Sequence, residues 1–383
     1  MAAAEPGLAE LTLAHASGRT PLWIGPGALA EAADRLAPWL HRRTLFVLSA
    51  APIRDLHGDR LEALTASASR RVDLDAPDGE EAKQVAVAAR LWDEMLAAGG
   101  KRDSRLLAFG GGSVGDLGGF VAGCFLRGIE WAAVPTTLLA QVDASIGGKT
   151  AVDLAAGKNT VGLFHHPAAV VSDVDLLATL PRRDLAGGLV ESIKMAFILD
   201  AALFARLERD LDALLAADRQ ALAPVVTASA AAKVEVVESD EREAGRRQLL
   251  NLGHTLGHAI ESALGYSTED GGLTHGEAVA YGMLFALRLA ERRGYDGAEP
   301  ELFARLRHLL ARLDLPPLPA ARLAAGDLVA RLGRDKKARE QGLSWVLPRC
   351  LGAGRAEGLV LAGVDADEVR SEVERFLAEP WSA

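Results

Sequence analysis

The chain has 383 residues, of which 49% are hydrophobic and 25% charged, and its formal net charge at pH 7 is −10. This length accommodates two ordinary domains that each bury a core, while the acidic balance argues against a nucleic-acid-binding surface, which needs a clustered basic excess. No run of about twenty apolar residues free of charge is present and no basic, apolar leader opens the chain, so we expect neither a membrane span nor a signal peptide.

The first 180 residues alternate short apolar runs with amphipathic segments. Helical apolar spacing is found at 28–40 and 80–97. Runs typical of strands lie at 22–24, 44–48, 105–109 and 170–177. Strands that alternate with helices indicate a parallel sheet covered by helices. We therefore predict an α/β domain at 1–180.

From residue 181 onwards the pattern becomes mainly helical. Helices are predicted at 184–207, 222–239, 249–264, 276–293 and 301–313. An extended run at 342–347 is expected to pair with 358–361. The sequence therefore predicts a second, mainly helical domain at 181–383.

A glycine-rich turn at 110–116, Gly-Gly-Gly-Ser-Val-Gly-Asp, follows a predicted strand and precedes a predicted helix at 117–125. Glycines let backbone approach a pyrophosphate, and a helix N-terminus offers free N–H groups to it. The turn lies after an earlier strand–helix unit, where a standard dinucleotide fold would not place it. Two interpretations stay open: a phosphate-binding turn, or glycines needed only for tight packing. The run 78–83 could add carboxylate and ammonium groups for a ribose and a phosphate, or be a solvated loop.

Two lysines stand among turn residues in an otherwise apolar region. Lys149 follows Ser145-Ile-Gly-Gly, and Lys158 is followed by Asn159. A lysine beside glycine-rich backbone suits phosphate or carboxylate binding, because a point charge and free N–H groups act together. The alternative is a pair of exposed loop lysines.

Three of the nine histidines, His254, His258 and His275, fall within a short stretch. The first two are four residues apart, on one face of a helix. Histidines with a carboxylate and one open position describe a catalytic divalent site, typically zinc. Glu191, with Lys194 one turn further on, is the candidate carboxylate because apolar residues surround it. Spacing alone does not decide which histidines are ligands, and His165 and His166 are given no metal role.

The two cysteines, Cys124 and Cys350, lie far apart and in no metal or redox spacing. We expect two buried thiols, which suits a reducing compartment. With no leader and no membrane span expected, the predicted location is the cytoplasm.

Together these motifs resemble the 3-dehydroquinate synthase family. The resemblance spans about residues 75–350 in the family's order. The motifs that carry it are 110–116, 134–149, Gly157-Lys-Asn159, Glu191 with Lys194, 250–258, 275–279 and Arg334-Asp-Lys-Lys337.

The resemblance implies a two-domain enzyme, usually a homodimer. A Rossmann-like NAD-binding domain would precede a helical metal- and substrate-binding domain, with NAD and one divalent ion, Zn²⁺ or Co²⁺, between them. The implied metal ligands are Glu191, His254 and His275. The implied catalytic and substrate-binding residues are Arg127, Asp143, Lys149, Asn159, Lys194, Lys233, Arg247, Asn251, His258, Lys336 and Lys337. The implied NAD-binding residues are Asp78, Glu80, Lys83, Gly112, Ser113, Val114, Gly115, Asp116, Thr136, Thr137, Lys149, Lys158, Leu176 and Thr179.

The reaction that the resemblance implies converts 3-deoxy-D-arabino-heptulosonate 7-phosphate into 3-dehydroquinate and phosphate, in the shikimate pathway. A substrate hydroxyl is oxidised by NAD, phosphate is eliminated, the hydride is returned, and an aldol step closes the carbocycle. No net redox change occurs, so the enzyme is a phosphate-eliminating lyase.

Related activities stay open as alternatives. Similar cyclases take an amino analogue, sedoheptulose 7-phosphate or, in the 2-deoxy-scyllo-inosose type, glucose 6-phosphate. A metal-dependent polyol dehydrogenase would produce net NADH, and a catalytically dead subunit would have lost Lys149, Glu191 or a ligand histidine. Two features depart from the family pattern: Asp153 stands where Asn is common, and the 266–275 loop is longer than usual.

Overall fold

The computed structural model describes residues 7–154, 157–266, 271–294, 300–332, 343–348 and 359–379. The chain forms two compact units. The first consists of Met1–Pro181 and Ala216–Glu241, and the second of Arg182–Leu215 and Arg242–Ala383. The chain thus leaves the first unit one residue after the predicted boundary, returns to it once, and leaves again.

The first unit is built on a mostly parallel sheet. Its strands are β1 (Ala9–His15), β2 (Gly18–Gly25), β3 (Thr44–Ala50), β4 (Arg70–Ala76), β5 (Arg105–Gly110), β6 (Glu130–Pro135), β7 (Lys149–Leu154), β8 (Gly157–Phe164) and β9 (Val170–Asp173). Strands β7 and β8 form a separate antiparallel hairpin. The other seven are ordered β1-β2-β9-β6-β5-β3-β4, with only β1 antiparallel to its neighbour.

The order of the strands creates a switch point between β3 and β5. From β3 the chain continues to β4 on one side, whereas from β5 it continues to β6 on the other. Ligands of open α/β sheets bind beside the carboxyl ends of the strands at such a point. The glycine-rich turn follows β5, so it lies at the position where this rule expects a ligand.

Helices complete the first unit. They are α1 (Ala28–Leu40), α2 (Ala51–Thr65), α3 (Val85–Ala97), α4 (Gly112–Cys124) and, after α5 (Arg182–Leu199) and α6 (Ala201–Leu215) of the second unit, α7 (Arg219–Ser239). The apolar face of α1, with Leu29 and Leu36, packs in one buried cluster with Val47, Leu107 and Val134 of the strands. Strands covered on both faces require such continuous apolar runs, which is why they were recognisable in the sequence.

Helix α7 was predicted as part of the second domain, but it belongs to the first unit. It packs against β1 and β2, and Glu238 accepts a 2.7 Å hydrogen bond from the N–H of Ala14. The apolar pattern of a helix shows that one face is buried but not against which core, so the sequence did not indicate this return. Among helices of the described ranges, α7 is long and apolar enough to meet a membrane-span criterion, but 61% of its apolar window is buried, which makes it weak evidence for a span.

The second unit is mainly helical, as predicted. Besides α5 and α6 it contains α8 (His254–Ala263), α9 (His275–Arg292), α10 (Pro300–Ala311), α11 (Ala325–Leu332), β10 (Leu343–Pro348), β11 (Leu359–Val364) and α12 (Ala366–Ala378). Strands β10 and β11 pair antiparallel, which confirms the pairing expected for these two late runs.

Several predicted boundaries were wrong, each for a local reason. The 170–177 strand ends at Asp173, whose side chain accepts the N–H of Asp175 and starts a 3₁₀ turn. The 184–207 helix breaks at Asp200, which caps α6. The 249–264 helix begins at His254 after Gly253, whose φ of 82° is left-handed. Helix α4 begins at Gly112 instead of 117, and the 80–97 helix is interrupted at Gln84.

The expectation of two buried thiols was wrong for Cys124, which is exposed. Cys350 lies outside the described residues.

Candidate functional site

The glycine-rich turn of the first unit combines both roles considered for it. A Cβ on Gly110 would lie 2.8 Å from the Val114 side chain, and one on Gly111 would lie 3.1 Å from Cγ2 of Thr137, so these glycines are needed for packing. A Cβ on Gly115 would meet no atom within 4 Å. Gly111, the residue before α4, has no side chain that could cap the first N–H groups of this helix. Gly115 and these N–H groups therefore leave room for a ligand at the helix N-terminus.

A cavity lies beside this turn. Its lining includes Gly112, Gly115, Asp116, Ala144, Gly148 and Lys149. Lys149 is exposed at the start of β7. The structure thus brings a cation from the lysine-rich stretch to the cavity that borders the glycine-rich turn, as an anion-binding site requires.

Four segments assigned to NAD follow the carboxyl ends of four parallel strands. Residues 78–83 follow β4, 112–116 follow β5, 136–137 follow β6, and 176–179 follow β9. Because the carboxyl ends of parallel strands meet at one edge, these segments share that edge of the sheet. The N–H of Thr136 donates to the carbonyl of Gly110 at 2.9 Å, which joins two of them. Leu176 is fully buried in the core, so the prediction that it contacts NAD finds no support in its position.

A charged cluster surrounds Lys83, whose side chain is almost fully buried. Its Nζ lies 2.8 Å from Asp116 and 3.6 Å from Glu80, and donates to the side-chain oxygen of Asn159. Burial opposes the charge of Lys83, but Asp116 and Glu80 outweigh it, so its pKa is raised. Burial raises the pKa of Asp116 although Lys83 opposes the shift. Lys158 lies 3.3 Å from Glu80, which also accepts a hydrogen bond from Ser113. Five of the sequence-predicted NAD residues therefore form one network with Asn159, namely Glu80, Lys83, Ser113, Asp116 and Lys158.

The same edge of the sheet carries an ion pair between Asp143 and Lys233 of α7. Asp143 belongs to a π-helical turn, Ala140–Ala144. The side-chain amide of Gln141 in this turn donates to the carbonyls of Pro135 and Asp173, at 3.1 and 2.9 Å. These two residues end β6 and β9, so the turn is fixed to the sheet. Arg127 lies exposed in left-handed backbone (φ 73°), and the structure does not bring it to the cavity lining.

In the second unit, glycines let α5, α8 and α9 approach one another closely. A Cβ on Gly276 of α9 would lie 2.6 Å from Cα of Gly187 on α5. One on Gly253, the residue before α8, would lie 2.6 Å from the carbonyl oxygen of Val279 on α9. Since His254 and His275 are the first residues of α8 and α9, these contacts bring His275 next to α5 and His254 next to α9.

The beginning of α9 is also held by polar contacts. Thr274 and Glu277 form a reciprocal capping box. Arg183 of α5 donates to both oxygens of Glu277, at 2.6 and 2.8 Å, and to the carbonyl of Gly272. His275 therefore projects from a helix start that is fixed to α5.

The three histidines and Glu191 converge. Ligand nitrogens of His254, His258 and His275 all lie within 4.8 Å of one another. Oε1 of Glu191 lies 3.8 Å from Nε2 of His254 and 3.9 Å from Nε2 of His275. Ligands of one zinc ion lie roughly 3–4 Å apart when each bond is about 2.1 Å, so these separations fit a shared ion.

Glu191 is fully buried, and among the described residues its Oε1 has no hydrogen-bond partner. Lys194 contacts Oε2, while Oε1 faces the imidazoles. Lys194 compensates only Oε2, and burying Oε1 without a partner is costly unless a cation lies between it and the imidazoles. The donor set therefore fits a divalent ion.

In His254 and His275, the two histidines whose Nε2 faces Glu191, Nδ1 contacts an oxygen acceptor. Nδ1 of His254 lies 3.3 Å from the carbonyl of Leu252, and Nδ1 of His275 lies 3.0 Å from Oε2 of Glu261. Burial, with the nearby Lys194 charge, lowers the pKa of His254 well below its ordinary value, which favours the neutral form that binds metal. Burial opposes the charge of His275, but Glu261 and Glu191 outweigh it and raise its pKa.

Two further acidic residues at this site were missed from the sequence. Glu261 lies seven residues, about two helical turns, after His254, so helical spacing could have indicated it. Glu243 accepts a 2.6 Å hydrogen bond from the side chain of Asn251, and nothing in the local sequence distinguished it from other acids of its run. Arg247 is buried in the 3₁₀ turn that also contains Asn251. Lys336, Lys337 and part of the 266–275 loop lie outside the described residues.

Solved structures of sugar-phosphate cyclases are similar to this chain over nearly its whole length. A 2-deoxy-scyllo-inosose synthase is 26% identical with a TM-score of 0.83, covering 96% of this chain and 99% of that one. The 2-epi-5-epi-valiolone synthase of Streptomyces hygroscopicus subsp. jinggangensis 5008 is 29% identical with a TM-score of 0.81, covering 94% and 97%. A probable glycerol dehydrogenase from Sinorhizobium meliloti 1021, 19% identical with a TM-score of 0.60 over 92% and 95%, shares the fold. The fold and the site thus define the sugar-phosphate cyclase class.

Sequence comparisons identify the family within that class. Residues 73–187 match the sequence model of the 3-dehydroquinate synthase N-terminal region, and residues 188–338 match that of the C-terminal region. The 3-dehydroquinate synthase of Caulobacter vibrioides (strain NA1000 / CB15N) is 43% identical over 93% of this chain and 94% of its own length. That of Geobacter metallireducens (strain ATCC 53774 / DSM 7210 / GS-15) is 47% identical over 77% and 80%. The chain belongs to the 3-dehydroquinate synthase family, whose members are lyases acting on phosphates.

Proposed function

We propose that this chain converts 3-deoxy-D-arabino-heptulosonate 7-phosphate into 3-dehydroquinate and phosphate, as a cytoplasmic homodimer of the shikimate pathway. It uses NAD and one divalent ion, zinc or cobalt. The single observation that carries the proposal is the buried carboxylate of Glu191, whose Oε1 has no hydrogen-bond partner in the described part of the chain and faces Nε2 of His254 and of His275. Relatives that are 43% and 47% identical support the substrate.

The proposed metal ligands are Glu191, His254 and His275. Their support is the orientation of the rings: both Nδ1 atoms are engaged elsewhere and both Nε2 atoms face Oε1 of Glu191. His258 is exposed, which suits a group that meets the substrate or transfers a proton. The ion, when bound, would polarise the reacting oxygen of the substrate as a Lewis acid. The two cyclase structures were solved with NAD⁺ and Co²⁺ in one and NAD⁺ and Zn²⁺ in the other.

NAD is proposed to bind at the carboxyl edge of the first unit's sheet, where it would accept and later return the substrate's hydride. Its pyrophosphate is assigned to the N-terminus of α4, since Gly115 leaves open space there. Lys83 and Lys158 are held in the segments beside this edge by Glu80, Asp116 and Asn159. Because the network is already formed, its side chains lose little freedom when the cofactor binds.

The cations and amides implied by the resemblance are proposed to hold the substrate. Lys194 is fixed against Glu191 and Lys233 against Asp143, so each presents a charge from an ordered position. Arg247, buried beside the segment of Asn251, is suited to a carboxylate because a guanidinium binds one through two parallel hydrogen bonds. Arg127 is assigned to a phosphate of the substrate, which its exposed position would allow.

The rival functions differ from this proposal in what they release. An amino-dehydroquinate, sedoheptulose 7-phosphate or 2-deoxy-scyllo-inosose type cyclase would also release phosphate, but from another sugar phosphate. A polyol dehydrogenase would accumulate NADH. The cyclase structures are 26% and 29% identical to this chain, well below the 43% and 47% of the 3-dehydroquinate synthases, which favours the proposed substrate.

The deciding experiment follows phosphate release from 3-deoxy-D-arabino-heptulosonate 7-phosphate with NAD and zinc or cobalt, while absorbance reports NADH. We expect stoichiometric phosphate and 3-dehydroquinate, no lasting NADH, and loss of activity with a chelator. Phosphate released from a heptulose or hexose phosphate instead would overturn the substrate. Net NADH from a polyol would overturn the reaction class.

A further inference from the structure

Glu261 is buried at the metal site, yet none of the roles considered above uses it. It lies on α8, the helix that begins with His254, and its side chain is 3% exposed. Its Oε2 lies 3.0 Å from Nδ1 of His275, which is the first residue of α9. The contact therefore links the two helices that supply the histidines.

The contact determines which nitrogen of His275 carries a proton. An ionised carboxylate only accepts hydrogen bonds, so Nδ1 of His275 is the donor. In the neutral ring Nε2 is then the unprotonated nitrogen, and it faces Oε1 of Glu191 at 3.9 Å. The reverse tautomer would place two acceptors, Nδ1 and Oε2, against each other and would protonate the nitrogen that faces Glu191.

His254 receives a different and weaker support. Its Nδ1 lies 3.3 Å from the carbonyl oxygen of Leu252, a neutral acceptor. A hydrogen bond to a charged acceptor is roughly twice as strong as a neutral one, and it increases the electron density of the donor ring. His275 is also the more exposed of the two rings, with 30% of its side chain accessible against 13% for His254. Burial therefore restrains His275 less, and its orientation depends more on a specific partner.

We infer that Glu261 is a positioning residue that fixes the tautomer and the ring orientation of His275 and thereby raises the affinity of the site for a divalent cation. This inference rests on the proposed metal-binding function. Glu261 acts through His275 and contacts neither substrate nor cofactor.

The test measures Co²⁺ binding to the full-length, metal-free protein, without substrate, from the cobalt absorption spectrum and from competition with a chelator. Glu261→Ala should weaken Co²⁺ binding by about 10- to 100-fold, the usual effect of losing such a partner. Glu261→Gln keeps an acceptor oxygen but loses the charge, so its loss should be smaller. Both variants should change the cobalt spectrum, because the geometry of one ligand changes.

Glu372→Gln is the matched control. Glu372 is as buried as Glu261, at 1% exposure, and accepts a 2.8 Å hydrogen bond from Arg288 within the same unit. We expect it to lower the thermal unfolding temperature without changing Co²⁺ affinity or spectrum. A purely structural role of Glu261 would produce this same result, namely a lower unfolding temperature with normal cobalt binding, and would overturn the inference.

The outcomes separate this inference from the proposed function. Failure of the parent protein to bind Co²⁺ would overturn the metal site and both proposals with it. A parent that binds Co²⁺, with Glu261 variants that bind it equally well, would overturn only the role of Glu261. Should Glu261→Ala fail to fold, as judged by circular dichroism, Glu261→Gln decides the question by the same two readouts.

Discussion

Gly276 of α9 and Gly187 of α5 are in backbone contact, so that a Cβ on Gly276 would lie 2.6 Å from Cα of Gly187. Real side chains do not approach backbone atoms at that distance. The position next to Gly276 is His275, and α5 carries Glu191. The spacing between two proposed metal ligands thus depends on a residue that has no side chain.

The variant Gly276→Ala should disrupt the metal site by steric displacement. The added methyl group must move α9 away from α5, which costs about 1–3 kcal/mol of unfolding free energy and shifts His275 away from Glu191. Chemical denaturation and Co²⁺ titration measure the two effects. Gly326→Ala in α11 is the control, because a Cβ there meets nothing within 4 Å, and it should be neutral or slightly stabilising. Normal cobalt affinity in Gly276→Ala would contradict the argument.

His275→Ala and His258→Ala together test the choice of ligands. His275→Ala should abolish metal binding and turnover, while circular dichroism shows an intact fold. His258→Ala should keep the metal, because its ring is exposed and the nitrogens that face Glu191 are Nε2 of His254 and Nε2 of His275. The same variant should lower turnover. Metal analysis of the purified variants distinguishes the two. Loss of metal from His258→Ala with retention in His275→Ala would reverse the assignment.

Lys194→Ala should lower turnover far more than it lowers NAD affinity. The lysine is buried against Glu191 in the second unit, whereas the proposed NAD-binding segments belong to the first. Its removal leaves the Glu191 carboxylate without that cation, so some loss of stability is also expected. Steady-state kinetics give the turnover, and quenching of the protein's fluorescence by added NAD gives the NAD affinity. Unchanged turnover would refute its role at the substrate.

The metal site could be located from the sequence only in part, because its members come from three helices. The i, i+4 spacing predicts that His254 and His258 share a face of one helix. It does not predict that Glu191 of α5 and His275 of α9 meet that face, because this depends on how the three helices pack. Glu191 became a candidate through its apolar surroundings, and the choice among histidines rested on family resemblance. Glu261 was overlooked because Glu on a helix is usually solvated, and only tertiary contact shows that this one meets His275.

The first unit shows the same division between local and tertiary information. Continuous apolar runs predicted β3 and β5 well, because a strand that is covered on both faces is apolar at nearly every position. The start of α4 at Gly112 was missed, since glycines have low helix propensity and here they are retained for packing and open space. The return of α7 to the first unit was missed because its burial involves partners distant in the chain.

Two glycine variants of α4 should separate binding from folding. Gly115→Val places a side chain in the open space beside the cavity and should weaken NAD binding at least several-fold with little loss of stability. Gly118→Ala should instead lower stability by about 1–3 kcal/mol, because its Cβ would lie 2.8 Å from that of Ala108. NAD titration and thermal unfolding measure the pair. Equal NAD affinity of Gly115→Val and the parent would place the pyrophosphate elsewhere.

Asp153, the departure from the family's usual Asn, should tolerate replacement by that residue. Its Oδ1 accepts the N–H of Asn159 at 2.6 Å, and Asn159 is held in left-handed backbone (φ 52°) with its side chain on Lys83. Asp153→Asn keeps an acceptor oxygen, so KM for NAD should stay near that of the parent. Asp153→Ala removes the acceptor, costs about 1 kcal/mol, and should raise KM for NAD several-fold while kcat changes less. If Ala and Asn variants behave alike, then the hydrogen bond to Asn159 does not position the Lys83 network, and the carboxylate at this position has another role.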